Sequence, residues 1–334
     1  MKTGQFEHRY AQLRTLIDRK LASGIRHNGS VVLATGSRYV LLAPGKRVRS
    51  TLVLLSCEAV GGQIREALDA AVALEMLHNF TLVHDDIMDN APSRRGRQTV
   101  HTKWTVNNAI LVGDFILGLA YKNLLKSKTA DMQRVIQLFT EGFVDVCVGQ
   151  GLDMEFGTQT RISLKEYYRM IGKKTGKLIA TATELGAVLG NAPPKQTQAL
   201  REFGTRISKA FKIQDDLLDV VAKEKAFGKT IGGDIVEGKR TFLLIRALEQ
   251  TRGRDRAILQ RVMRRTVRPS TAARRDKLVD SVTSVYKRAD AIEAARRQIE
   301  RETIAGLKAL RTLPASDARA TLQWFSEMLV QRTS

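Results

Sequence analysis

Cysteine is nearly absent from this chain: 334 residues contain 2, Cys57 and Cys147. Neither has a second Cys or a His at ligand spacing, which argues against a zinc site. Both lie in apolar helical contexts and read as small buried hydrophobes in a reducing compartment. Proline is scarce as well, with 6 in the whole chain. Alternating runs are rarer still, and only 30–35 and 38–42 qualify as short strand candidates. Apolar residues recur instead at three- and four-residue spacing, which predicts an all-α protein. No apolar run is long enough to span a bilayer. The first 24 residues are polar and charged, without the core of a signal peptide, so a soluble, cytoplasmic protein is expected. No linker, low-complexity segment or solenoid repeat divides the chain, which reads as one domain over 1–334. A Ser/His/Asp or Cys/His constellation is also missing. Acids are outnumbered, 34 Asp and Glu against 55 Lys and Arg, for a net charge of +21. Such a balance raises nucleic acid as a partner. However, the late arginines (Arg252 to Arg256, Arg261 to Arg268, Arg274, Arg275, Arg296, Arg297) are mixed with acids and lack an aromatic stacking platform. They read as a solvated surface with at most a weak attraction to anionic lipid headgroups, and no nucleic-acid partner is expected.

What the chain has is acid in pairs of clusters. The apolar stretch from Ala70 to Val83 runs into His84-Asp85-Asp86-Ile87-Met88-Asp89-Asn90. On a helix Asp85 and Asp89 stand one above the other, with Asp86 about 100° round. Carboxylates that close repel unless solvent, Arg or Lys partners, or a hard cation answers them; magnesium takes oxygen ligands and shares them with phosphates, while a solvated helix end is the alternative for this motif alone. The pattern returns at Phe211-Lys212-Ile213-Gln214-Asp215-Asp216-Leu217-Leu218-Asp219. Basic, Gly-containing segments follow each copy: Ser93 to Arg97 after the first, Gly228 to Asp234 and Gly238 to Thr241 after the second. Acid clusters with basic clusters suit a polyanion bridged by metal, since Lys and Arg can hold the remaining phosphate oxygens. Two further segments carry cations. Lys46 and Arg49 lie three apart at a helix start after Pro44-Gly45, and Lys173-Lys174-Thr175-Gly176-Lys177 forms a break in a helical pattern. Gly113-Asp114-Phe115 reads as the start of a helix, and Gly149-Gln150-Gly151-Leu152-Asp153 as an interruption of another, where glycines allow close approach of backbone or ligand.

From about Gly45 to Thr241 these motifs resemble the trans-isoprenyl diphosphate synthases, or polyprenyl synthetases. The resemblance implies a helical bundle of the isoprenoid synthase type around an apolar cavity. It implies a prenyltransferase that joins isopentenyl diphosphate to an allylic diphosphate (dimethylallyl, geranyl or farnesyl), and a homodimer. Asp85, Asp86, Asp89, Asp215, Asp216 and Asp219 would hold Mg2+, three ions with substrate bound. Lys46, Arg49, His78 and Arg95 match positions that bind isopentenyl diphosphate. Arg94, Lys174 with Thr175, and Lys229 match those that bind the allylic diphosphate, and Lys239 would line the same mouth. Gln150 and Asp153 match a pair near the reacting hydrocarbon. An amide dipole there suits a developing cation, though a packing notch with a buried amide explains Gln150 nearly as well. His84 and Asp114 match supporting positions.

Product length in this family is controlled at the fourth and fifth residues before the first acid motif, here Thr81 and Phe80. A bulky Phe80 beside a small Thr81 resembles the geranylgeranyl type, with farnesyl or longer products as alternatives. Helix geometry sets Phe80 well round from Asp85, so it either blocks the tunnel or is simply core. Two departures from the family pattern stand out. Ser50 replaces the usual Pro, which should alter the local turn more than the chemistry. Lys212 replaces the usual Gln, and would either hold diphosphate or neutralise Asp216. A class I terpene cyclase would carry a different second metal motif, and a non-catalytic partner subunit would have lost acids from one triad. Neither feature is found here.

Overall fold

The computed structural model describes residues 2–25, 29–222, 231–264 and 271–330. These are overwhelmingly helical, as the three-and-four spacing requires. In chain order the elements are α1 (Lys2–Gly24), α2 (Val31–Leu41), α3 (Val48–Ala59), α4 (Ile64–Met88), β1 (Ser93–Arg94), β2 (Arg97–Gln98), α5 (Val100–Lys103), α6 (Val106–Leu124), α7 (Met132–Phe156) and α8 (Leu164–Ile171). A π turn, Gly172–Gly176, leads into α9 (Lys177–Leu189) and α10 (Pro194–Val221). Then come α11 (Gly233–Val236), α12 (Phe242–Gln250), α13 (Gly253–Met263), α14 (Ala272–Arg288), α15 (Ala291–Leu310) and α16 (Asp317–Val330). The one sheet among the described residues is the antiparallel pair β1–β2, with Ser93 opposite Gln98 and Arg94 opposite Arg97.

The residues group into two compact units, each assembled from segments distant in sequence. The first unit takes 1–143, 178–201 and 310–324; the second takes 144–177, 202–309 and 325–334. In the first, α3 and α4 are apolar nearly all round, the pattern of a helix enclosed by others. Leu52, Val53, Leu54, Leu55, Ala70, Ala71, Val72, Leu74 and Leu77 are all buried. Small residues let α6 approach α4 closely: a β-carbon on Gly113 would stand 2.3 Å from the His84 ring, which would have to shift to admit it. The core of the second unit gathers Tyr167, Met170, Ile213, Leu217, Phe242, Leu243 and Tyr286 from α8, α10, α12 and α14.

Four local expectations are corrected. The two strand candidates are both part of helix α2. Its β-branched residues suggest strand, but Ser30 caps it by accepting from the Leu33 amide at 3.4 Å, and the buried set Gly36, Ser37, Leu41 has helical spacing. Gly113 does not start a helix; it lies inside α6, which begins behind Thr105, whose hydroxyl accepts from the Asn108 amide at 3.1 Å. Gly149 and Gly151 do not interrupt α7, which runs unbroken through them. The Lys-rich segment is not a break either, but a widened π turn continuous with α8 and α9. Of the cysteines, Cys57 is buried and its thiol is pushed up to about 12 by burial, then by Glu66 and Glu58, whereas Cys147 is exposed.

Candidate active site

In the first unit, α4 carries the first acid triad at its C-terminal end, with Asp89 as the capping residue. Asp85 is half-buried and Asp89 exposed, while Asp86 turns inward to 5% exposure. There the Arg94 Nε donates to Asp86 Oδ1 at 2.7 Å. Burial raises the Asp86 pKa, and Arg94 pulls it only part of the way back. Arg94 and Arg95 ride on the β1–β2 hairpin, whose tip takes left-handed backbone at Arg95 (φ 52°) and Gly96 (φ 73°). Arg95 Nη1 donates to the Pro44 carbonyl at 3.3 Å, passing close over Gly45. The hairpin thereby meets the Gly45 to Arg49 segment, 51 residues away in sequence.

Around His78 in α4, near the start of α3, lies a group of cationic side chains. His78 has its pKa held well below the usual imidazole range by burial, then by Arg49, Arg95, Arg94 and Arg47 in that order, and is neutral near pH 7. Arg49 is lowered to about 10 by burial, against the pull of Glu75 and with the push of Arg95. Its Nε is buried without a hydrogen-bond partner among the described residues. An orphaned guanidinium N–H in such a field is a ready donor for an anion. Lys46 is exposed ahead of α3, its carbonyl accepting from the Tyr10 hydroxyl at 2.5 Å.

Phe80 is 7% exposed and wedged edge-on to Phe143, with ring centroids 5.5 Å apart, and tilted against His84 at 4.6 Å. His84 sits behind the triad, its Nε2 3.3 Å from the Ile110 carbonyl and 3.7 Å from Asp114 Oδ1. Thr81 is half-buried, and its hydroxyl is turned back to the His78 carbonyl at 2.8 Å.

In the second unit, α10 carries the second triad. Asp216 is 1% exposed and its carboxylate is saturated by donors. Lys212 Nζ lies 2.6 Å from Oδ1, and Oδ2 accepts from the Tyr167 hydroxyl at 2.8 Å and the Phe242 amide at 3.1 Å. Burial alone would lower Lys212, but the fields of Asp216, Asp215 and Asp234 outweigh it and hold the ammonium well above the lysine range. Asp219, 9% exposed, accepts from the Asp234 amide at 3.0 Å. Its pKa is raised to about 6 by burial and then by the Asp234 carboxylate. Lys239 Nζ stands 3.2 Å from Asp234 Oδ1 and 2.9 Å from Glu237 Oε2. Lys229 lies outside the described residues.

The π turn presents its lysines to α7. Lys174 Nζ lies 2.5 Å from Asp153 Oδ2, and Lys173 and Lys177 both pair with Asp145. Thr175 is half-buried in the turn and Gln150 is buried one turn before Asp153. Gly149 explains the close fit, because a β-carbon there would fall 2.2 Å from the Lys174 amide nitrogen. Among the described residues no three His, Cys, Asp or Glu side chains converge into a ready-made metal cage. Magnesium does not ask for one, since it is commonly held by one or two carboxylates with water and substrate phosphate. Hard oxygen donors one turn apart at Asp85 and Asp89 fit that manner of binding.

The polyprenyl synthetase family model matches residues 31–282. The chain is 35% identical over 318 residues to a short chain isoprenyl diphosphate synthase of Methanothermobacter thermautotrophicus, across 95% of each chain. It is 42% identical over 220 residues to a geranylgeranyl diphosphate synthase of Methanosarcina mazei, across 65% of this chain and 68% of that one. The crystal structure of geranylgeranyl pyrophosphate synthetase from Pyrococcus horikoshii matches with a TM-score of 0.93 at 33% identity, over 99% of this chain and 100% of that chain. The chain belongs to the polyprenyl synthetase family.

As a polyprenyl synthetase it is a trans-prenyltransferase, and residues outside its motifs support those within them. Arg47, buried in left-handed backbone (φ 47°), donates to Asp18 at 2.7 Å, to Glu75 at 3.3 Å and to the carbonyls of Leu41 and Ala43. It clamps the turn from which Lys46 and Arg49 project. Ser50 donates to Glu75 at 2.9 Å, so the residue in place of proline joins the same network. A lone acid in an apolar run, such as Glu75, was the available signal for this clamp. Asp234 adds a fourth carboxylate to the synthetase's second triad. It stood in the Gly-Gly-Asp run without an assigned role, because helix spacing says nothing of a residue on a separate element.

Proposed function

We propose that the protein condenses isopentenyl diphosphate with an allylic diphosphate, head to tail and in trans geometry, to give geranylgeranyl diphosphate and pyrophosphate. The observation that carries this reading is the buried Arg49 Nε without a hydrogen-bond partner among the described residues, close to His78, which burial and the fields of Arg49, Arg95, Arg94 and Arg47 hold neutral. Such a field selects a compact polyanion. On this reading Lys46, Arg49, His78 and Arg95 hold isopentenyl diphosphate. Arg94, Lys174 and Lys229 hold the allylic diphosphate, with Lys174 exchanging Asp153 for a phosphate oxygen. Acids of the two triads would hold magnesium, which when bound supplies the positive charge that steadies a departing diphosphate.

The allylic C–O bond breaks with its electron pair leaving on the diphosphate. The alkene pair of isopentenyl diphosphate then forms the new C–C bond, and the proton lost from its neighbouring carbon passes to the pyrophosphate. The chain's share is to position both reactants and to keep fixed cations aimed at the leaving group, which costs no reorganisation during reaction. The wedge of Phe80 against Phe143 and His84 supports a short product, as do the names of two similar proteins. A homodimer belongs to the same reading. It is supported by the exposed apolar side chains Val106 and Ile110, one turn apart on one face of α6.

The test is incubation of pure protein with magnesium, radiolabelled isopentenyl diphosphate and each allylic primer in turn, with product length read by chromatography. Asp85→Ala and Asp215→Ala should each lower turnover by orders of magnitude with circular dichroism unchanged. Near-normal activity in either would remove these acids from the chemistry.

A further inference from the structure

Lys212 stands one turn before the second triad, where the motif resemblance leads one to expect a neutral amide. Its ammonium does not reach away from the acids. It lies 2.6 Å from Asp216 Oδ1 and 3.5 Å from Asp215 Oδ2. Asp216, already accepting from Tyr167 and Phe242 through its other oxygen, has three donors on one carboxylate at 1% exposure. A carboxylate offers about four acceptor positions, so little remains for a cation. Asp215 differs: its side chain is 44% exposed and shares the same ammonium at the longer distance.

We propose that Lys212 is a positioning residue that withdraws Asp216 from metal binding and, by its charge beside Asp215, loosens the second triad's hold on divalent cations until a diphosphate arrives. This rests on the reading of Asp215 and Asp219 as metal-binding acids. A dication on Asp215 would sit roughly 5 Å from a fixed positive charge, close enough for repulsion to persist through solvent screening. The incoming diphosphate outweighs that repulsion, so metal loading at this triad follows substrate.

The experiment is titration of Mn2+ followed by electron paramagnetic resonance, without substrate, on the full chain carrying Asp85→Ala and Asp89→Ala so that only the second triad reports. In that background Lys212→Gln should bind Mn2+ about tenfold more tightly, because one repelling charge is gone. Lys212→Arg should bind as the background does. A purely structural lysine predicts unchanged or weaker binding in Lys212→Gln, and that result overturns the proposal. Should Lys212→Gln fail to fold for want of a partner to Asp216, the charge-neutral pair Lys212→Gln with Asp216→Asn decides instead. Affinity within about twofold of the background supports the proposal, since the net charge is unchanged. A loss beyond tenfold would make Asp216 a ligand and end it. If the background itself binds no Mn2+ saturably, the metal reading of the second triad fails, a result distinct from a failure of Lys212 alone.

Discussion

Asp219 gives the sharpest measure of how much stability this protein gives up for its site. Its carboxyl is 9% exposed and its pKa is raised from 3.8 to about 6, by burial first and by Asp234 second. The folded state therefore keeps the Asp219 proton more tightly than the unfolded chain does. The resulting penalty is absent below about pH 3.8, grows up to about pH 6 and is constant above it. A shift of about two units corresponds to at most about 3 kcal/mol, at 1.36 kcal/mol per unit. Asp219→Asn removes the charge while its side-chain oxygen can still accept from the Asp234 amide. With chelator present, the variant should be more stable than the parent by about 1–3 kcal/mol near pH 7.5, seen as a rise of several degrees in Tm. Near pH 5, where the penalty is about half developed, the gain should be roughly half as large. Magnesium should stabilise the parent more than the variant, because only the parent gains from neutralising the charge. Thermal unfolding of both proteins at the two pH values, with and without magnesium, makes the comparison. A variant less stable than the parent at pH 7.5, or a gain equal at both pH values, would refute the electrostatic origin. The same substitution should depress turnover, the usual cost of stabilising a strained site.

Three further outcomes are expected. Arg49→Ala should raise KM for isopentenyl diphosphate by about 100-fold with kcat much less affected, as befits loss of a buried charged donor. A kcat loss with KM unchanged would count against that role. His78 is held neutral by burial and four guanidinium groups, so its contribution to stability is lost as pH falls below about 6.5. A bound diphosphate opposes those guanidinium fields, so on binding isopentenyl diphosphate near pH 6.5 the parent should take up more protons, or release fewer, than His78→Asn does. Calorimetry of both proteins in two buffers of different ionisation heat reads the difference, and equal proton exchange would count against this role of His78. Phe80→Ala should lengthen the product and cost about 3–5 kcal/mol of stability, as large-to-small changes in a buried aromatic do. Loss of stability with an unaltered product would make Phe80 core alone.

Much of this was legible in the sequence, for identifiable reasons. Apolar spacing gave the helices because burial selects one face of each, and acid spacing put Asp85 above Asp89 because a helix turns every 3.6 residues. Gly113 reads as a helix start and Gly149 as an interruption that allows close approach; the close approach at Gly149 is found, but both glycines lie inside unbroken helices. A glycine can mark a terminus or a close approach, and only the neighbour, here Lys174 or His84, distinguishes the two. Strand propensity in α2 misled because β-branched residues there are overruled by the Ser30 cap and by packing. Cys147 was read as buried from its apolar neighbours Val146 and Val148, but Val148 is itself exposed. The contacts of Arg47 with Asp18 and Glu75 span 29 and 28 residues and leave no local trace.

The inward turn of the middle acids joins sequence to chemistry most directly. In Asp-Asp-x-x-Asp the second acid stands about 100° round the helix from the first, while the fifth position returns over it. If the first and last acids face a substrate, the second must face protein. A buried carboxylate without a partner is costly, so each helix needs a base within reach. For Asp86 that base is Arg94, arriving from a hairpin eight residues on at 2.7 Å; for Asp216 it is Lys212, four residues back at 2.6 Å on the same helix. The two solutions differ in consequence. Arg94 rides on a separate hairpin and engages Asp86 through Nε, so on the proposed reading its other N–H groups meet a diphosphate oxygen while Asp86 stays paired. Lys212 is fixed to the helix it neutralises, and moving it would leave Asp216 charged in the core. On the proposed reading the base of the first triad is shared with substrate, whereas that of the second stays with its acid.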